Sequence, residues 1–202
     1  MILPVPFYRQ TTPFNCGPAA LRTVISYFDS DPGIELVESR SEISRGKGAS
    51  TAQIGIAAAS LGYRSRFFSK HLTLTKENLE LEFYKQYNSS TIDESKKILE
   101  RAKSLGVLCE EKTMPLKDIL SMITKDSVPI LLIDWNVVKG MEEKGYQGHF
   151  VPVIGCDDNN VYIHQVAFNT GQSNIAIEKS LFDKARKSQG TDEDVLVVYR
   201  KT

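Results

Sequence analysis

Cysteine is scarce in this chain: three residues in 202, Cys16, Cys109 and Cys156. They are widely spaced and odd in number, with no CxxC pair, which excludes a disulfide framework and places the expectation in a reducing, cytoplasmic compartment. Histidine is equally scarce, with His71, His149 and His164. No two of these six residues stand at ligand spacing such as CxxC or HExxH, so no metal site is expected. An excess of either charge is also missing. Twenty-five Lys and Arg balance 25 Asp and Glu, for a formal net charge of zero. No global field then draws in nucleic acid or an anionic membrane, and no run of Lys or Arg marks a basic patch. Neither partner is expected. No apolar run is long enough to span a bilayer, and Met1-Ile-Leu-Pro-Val-Pro is too short and too proline-rich for a secretory signal. Internal repeats and low-complexity segments are absent. Arg45-Gly46-Lys47-Gly48 is rich in glycine but lacks GxxxxGK[ST] spacing and a buried strand before it, so it is not a phosphate loop.

What is present describes one ordinary globular domain over residues 1–202, 41% hydrophobic and 25% charged, with length enough for a sizeable core. Residues 2–9 read as an extended lead-in, confined to an edge by Pro4 and Pro6. A helix starting at Cys16 ends near Asp29-Ser-Asp-Pro-Gly33, a strong turn signal. Residues 34–48 read as a polar, flexible loop. Ser50-Thr51 caps an Ala-rich helix to Leu61, stopped by Gly62, and residues 63–69 form a strand. Two amphipathic helices follow at 75–88 and 91–105, then a short strand at 107–111 and a helix from Met114-Pro115 through Ile123. Val128–Trp135 is near-continuously apolar, as a strand buried on both faces would be. A polar loop, 141–148, leads into a hairpin at 149–166. A loop at 169–174, a helix near 178–188 and a last strand at 194–199 complete an α+β layout.

The chemistry gathers at Gln10-Thr-Thr-Pro-Phe-Asn-Cys16-Gly-Pro-Ala-Ala. Pro18 suits a first helical turn, and Leu21, Val24, Ile25 and Phe28 recur on one helical face. Cys16 therefore stands where the chain enters a helix, beside unpaired N–H groups and the positive end of the dipole, which favour a thiolate nucleophile. A lone cysteine is more often a small packed hydrophobe. Gln10, six residues upstream, alters that balance, because its amide could donate to a developing oxyanion.

Gln-x5-Cys-Gly-Pro-Ala-Ala before an amphipathic helix resembles the papain-like bacteriocin-processing (double-glycine leader) peptidases and their relatives. A second segment, Gly148-His149-Phe-Val-Pro-Val-Ile-Gly155, with an Asp-Asn turn and Val161-Tyr-Ile163 after it, resembles that family's catalytic-histidine strand and the strand that follows. The resemblance implies a papain-like fold, the cysteine helix packed on a small antiparallel sheet carrying the histidine. It leaves residues of about 30–148 as a family-variable region, and it implies no cofactor.

On local sequence alone His149 is a surface histidine at a strand start; the resemblance makes it the general base, at a sheet edge facing a helix N-terminus. His71 reads as solvated, while His164 is either core-facing or exposed. The family's acidic orienter, usually followed by proline, falls here on Gln165-Val166. A Gln oxygen can accept the ring N–H of His149 but carries no charge to stabilise an imidazolium, which puts turnover in doubt more than fold. Asn169 is a second candidate orienter, and Asp157 reads as a turn residue. Trp135, Cys109 and Cys156 read as core. The expectation is a cysteine hydrolase of a peptide or amide bond, with Cys16 attacking, His149 moving the proton, Gln165 or Asn169 orienting it, and Gln10 with the Cys16 N–H binding the oxyanion. The alternatives are a catalytically weakened peptide-binding module and a cysteine acyl-transferase. The expected partner is a peptide or protein substrate.

Overall fold

The apolar run Ser127–Asp134 is buried at all eight positions and forms a strand with neighbours on both sides. The structure, a computed structural model, describes residues 2–88 and 90–201. Its elements in chain order are α1 (Cys16–Phe28), α2 (Ile34–Arg40), α3 (Thr51–Ser60), β1 (Ser65–Ser69), α4 (Lys76–Glu80), α5 (Glu82–Tyr87), α6 (Ile92–Ser104), β2 (Leu108–Glu111), α7 (Leu116–Ser121), β3 (Ser127–Asp134), α8 (Trp135–Val138), β4 (Gly148–Cys156), β5 (Asn160–Gln165), β6 (Gln172–Glu178), α9 (Lys179–Arg186) and β7 (Val195–Tyr199). The strands form one sheet in the order β2-β1-β7-β3-β4-β5-β6. All neighbours are antiparallel except β1 and β2.

The class is α+β and the arrangement papain-like, the cysteine helix α1 packing on the histidine strand β4. The sheet is larger than expected, because the last strand in sequence, β7, inserts between β1 and β3 and joins the early strands to the C-terminal hairpin. β4 is an interior strand, so His149 lies at the end of the sheet and not along its edge. Val128, Ile130, Leu131, Leu132 and Ile133 on β3 are buried. Each contributes about 2 kcal/mol of apolar transfer as an upper bound. Leu21, Val24, Ile25 and Phe28 of α1 are buried against the sheet, as their spacing requires.

Three stretches differ from their sequence reading. Residues 34–40 are helix α2, not loop; Ile34 is buried against Ala19 and Val166, and a two-turn helix is too short to display a period. Residues 75–88 form two short helices broken at Leu81, which is extended with ψ of 133°. Residues 172–178 form the edge strand β6, whose side chains are mostly exposed, so no apolar alternation announces it. The lead-in at 2–9 goes no further toward an edge strand than a single bridge, Ile2 to Gly155. Among the described residues no helix is long and apolar enough to cross a membrane.

Candidate active site

Asn15 brings Cys16 to the start of α1 without capping the helix by its side chain. Its Oδ1 instead accepts from the N–H groups of Thr11 and Thr12, and its Nδ2 donates to Thr11 Oγ1 and Glu38 Oε1. This folds the 10–15 loop back on itself and ties it to α2. The Gln10 N–H donates to Val166 O at 2.7 Å, which fixes the loop beside the end of β5. Gln10 and Gln165 are thereby held against the same strand terminus.

A cavity of about 820 Å³ opens here, and Gln10, Cys16, His149, Gln165 and Asn169 all line it. The structure thus brings together every candidate, although Cys16 and His149 are 133 positions apart in the chain. Their states differ. Cys16 is half-buried. Burial pushes its thiol up, against backbone N–H groups of Phe150, Gly17 and Cys16 that favour the thiolate. The Phe150 N–H belongs to the residue after His149, so the sulfur sits against the histidine's own strand. His149 is buried, and burial alone lowers its imidazole to about 4. Its Nε2 has no hydrogen-bond partner. Trp135 tilts over the ring with centroids 5.8 Å apart, so its side chain serves the site as well as the core.

Gln165 is 2% exposed and its Oε1 is buried without a partner. Asn169 is exposed, on the turn at the cavity mouth. Gln10 is buried; its Nε2 donates to Thr12 O at 2.7 Å, and its Oε1 has no partner. One of its two amide hydrogens is therefore committed and the other is not.

Of the remaining candidates His71 lines the cavity and the others do not. His164 is buried, with Nδ1 accepting the Asn174 N–H and Nε2 against Val5 O at 3.0 Å. Those partners fix the Nε2–H tautomer, so His164 is a tie between the N-terminal segment and β6. His71 is exposed on the cavity rim. Asp157 accepts from the N–H groups of Asn159 and Asn160 and from Tyr162 Oη, as a turn residue should. Cys109 lies on the edge strand β2, its thiol pushed up to about 11 by burial, and Cys156 ends β4; neither lines the cavity.

Two parts of the cavity were not found from sequence. α5 lines it with Phe83, Tyr84 and Tyr87. Phe83 stacks on Tyr87 and meets Tyr146 edge-on, and Tyr84 Oη donates to Gly190 O. Gly148, just before His149, permits this approach: a Cβ there would lie 2.6 Å from Tyr146 Oη and 2.9 Å from Phe83 Cε1. The far wall carries Asp192 and Asp194. The run Thr191-Asp-Glu-Asp194 was the available signal, and it reads as an ordinary polar turn before a strand.

The family described as guanylylate cyclase matches residues 5–198. Three solved structures share the fold. One is a double glycine motif protease from an AMS/PCAT transporter in complex with the leader peptide, 16% identical, with a TM-score of 0.55 over 100% of this chain and 94% of that one. Another is the peptidase domain of Streptococcus ComA, a bifunctional ABC transporter, 16% identical, with a TM-score of 0.51 over 95% and 96%. The third is a C39-like peptidase from Bacillus anthracis, 13% identical, with a TM-score of 0.60 over 100% and 97%. At these identities the likeness establishes a shared papain-like fold.

Proposed function

This chain belongs to the guanylylate cyclase family, and within it we propose that the protein is a papain-like cysteine hydrolase of a peptide or amide bond. The observation that carries this reading is the single cavity lined by Cys16, His149, Gln165 and Gln10, with the Phe150 N–H directed at the Cys16 sulfur.

The resting pair is neutral near pH 7, because burial raises the thiol and lowers the imidazole to about 4. Proton transfer from Cys16 to His149 then accompanies attack. The S–C bond forms, and the carbonyl oxygen takes the charge against the Cys16 N–H and the uncommitted Gln10 amide hydrogen. His149 returns the proton to the leaving amine as the C–N bond breaks. Water, deprotonated by His149, opens the thioester and releases the acid. Gln165 is the better orienter on two grounds: it is buried, and its orphan oxygen complements the orphan Nε2 of His149. Asn169 is exposed and belongs to the entrance. The active compartment we assign is cytoplasmic, since the mechanism requires a reduced thiol.

A second reading, a binding module of the same fold, is favoured by the raised thiol and the uncharged orienter. Nucleotide cyclisation, which the family's description names, is disfavoured by charge. Among the described residues lining the cavity, Lys139 is the one lysine or arginine, against the carboxylates of Asp192 and Asp194 in the same lining, a poor match for a triphosphate.

The test uses p-nitrophenyl acetate, an activated ester that needs no knowledge of the natural substrate. A burst of nitrophenol with acetyl mapped to Cys16, abolished in Cys16→Ala, supports the hydrolase. Acetylation of Cys16 no faster than of Cys109 and Cys156 overturns it in favour of the binding module. Product analysis with competing amines separates hydrolysis from acyl transfer.

A further inference from the structure

We propose that the end of the cavity away from Cys16 is a subsite for a cationic group, an ammonium or guanidinium, held by Asp194 with Asp192 beside it, and that the substrate is a short peptide or amide bearing that cation. This rests on the hydrolase reading for the bond that is cut; the binding it asserts is separable from it.

The hydroxyls of Thr51 and Ser69 both favour the Asp194 carboxylate, yet one of its oxygens keeps no well-formed hydrogen bond. Oδ2 accepts from Thr51 Oγ1 at the start of α3, while Oδ1 is buried without a hydrogen-bond partner. Asp192 Oδ2 accepts from Asn78 Nδ2 at 2.9 Å. Among the described residues neither carboxylate has a salt bridge within 4 Å. The buried arginine on the neighbouring helix, Arg186, is spent on Asp183 and Glu193. A carboxylate oxygen buried without a donor or a cation is costly unless something supplies one. Burial pushes the Asp194 carboxyl up to about 7, and a cation on the open oxygen would draw it back.

The segment presenting these carboxylates is held rigidly. Asp192 and Glu193 both adopt positive φ, 48° and 55°. The conformation persists because its surroundings determine it: Asp192 O accepts from the Lys70 N–H and Ser69 Oγ, and Thr191 Oγ1 donates to Arg186 O. Aromatic rings line the same cavity, Phe67, Phe83 and Tyr84, and Tyr84 is close enough to feel the charge of both carboxylates; rings in such a wall add to the attraction of a cation.

The sheet supplies a ruler. Leu132 N–H donates to Asp194 O, and Leu132 pairs with Phe150, whose N–H faces the Cys16 sulfur. Two strand spacings put the Asp194 backbone about 10 Å from that point. An extended chain covers this in about three residues, and a lysine or arginine side chain covers it in fewer.

The test is binding to the Cys16→Ala protein, which cannot turn over, measured by calorimetry with three probes. Nα-acetyl-lysine amide carries a side-chain ammonium, norleucine amide an α-ammonium, and Nα-acetyl-norleucine amide no charge. At least one cationic probe is expected to bind tenfold or more tighter than the neutral one, and whichever does identifies the source of the cation. Adding Asp194→Asn, which preserves the acceptor for Thr51, should abolish the preference. Asp192→Asn reads the same contrast if the first variant melts. Equal affinities for all three probes, no binding by either cationic probe, or a preference that survives both substitutions overturns the proposal. Failure of Cys16 to acetylate leaves this contrast unaffected, so the two readings fail separately.

Discussion

His149 is the residue on which the chemistry turns, and its environment is apolar. An imidazole lowered to about 4 by burial is a neutral base across the physiological range. Its ring signals in NMR should not titrate between pH 8 and 5; a midpoint near 6.5 would contradict its burial. Gln165 lines the same cavity with an unpaired acceptor. If that oxygen orients the ring, Gln165→Ala lowers kcat by roughly 10²-fold with little change in KM. An effect on KM alone would make Gln165 a binding residue. That Cys16 and Gln165 line one cavity was legible, Cys16 from its place at the entry to a helix and Gln165 from the family resemblance. The Phe150 N–H was not legible, since a backbone donor has no side-chain signature.

At the scale of elements, the site is the meeting of the α1 N-terminus with the first residues of β4, with α5 as the roof packed over Gly148. Gly148 is the point of closest approach between strand and roof. Gly148→Ala places a Cβ 2.6 Å from Tyr146 Oη and 2.9 Å from Phe83 Cε1. Overpacking of this kind costs about 1–3 kcal/mol, so a lowered melting temperature with a reduced kcat/KM is expected. Unchanged values for both would mean that the roof yields freely. Ser50→Ala removes a full capping box from α3. It should cost about 1 kcal/mol in denaturant unfolding without altering kcat. Sequence reading found α1 by its long apolar face, α3 and α6 with their capping boxes, and also α7 and α9. Those it missed or merged, α2, α4 and α5, are of five to seven residues and take their stability from contacts made elsewhere in the fold. β6 was hidden because an exposed edge strand has no core face to pattern.

Across the whole molecule, two buried groups pull stability in opposite directions with pH. His149 in the folded state is lowered from 6.5 to about 4, so the unfolded chain binds more protons between those values. The stability it lends is present above pH 6.5 and lost as pH falls to 4, about 3 kcal/mol in all. Asp194 is raised from 3.8 to about 7, so its contribution is present below pH 3.8 and lost as pH rises through 7. Denaturant melts of His149→Phe should show a shallower loss of stability between pH 6.5 and 4 than the native chain, whereas identical slopes would contradict the assigned burial. The sheet order was the least legible feature at this scale. Placing β7 between β1 and β3 depends on contacts across more than sixty residues, which no local pattern encodes.

The central claim is that Cys16 and His149 act as one unit. It is tested most directly by a double-mutant cycle on the rate of acetylation by p-nitrophenyl acetate, with Cys16→Ala, His149→Ala and the two combined. The account predicts that each single substitution removes nearly all of the burst and that the double variant is no slower than either single one. Additive losses, or a burst that survives His149→Ala, would contradict it.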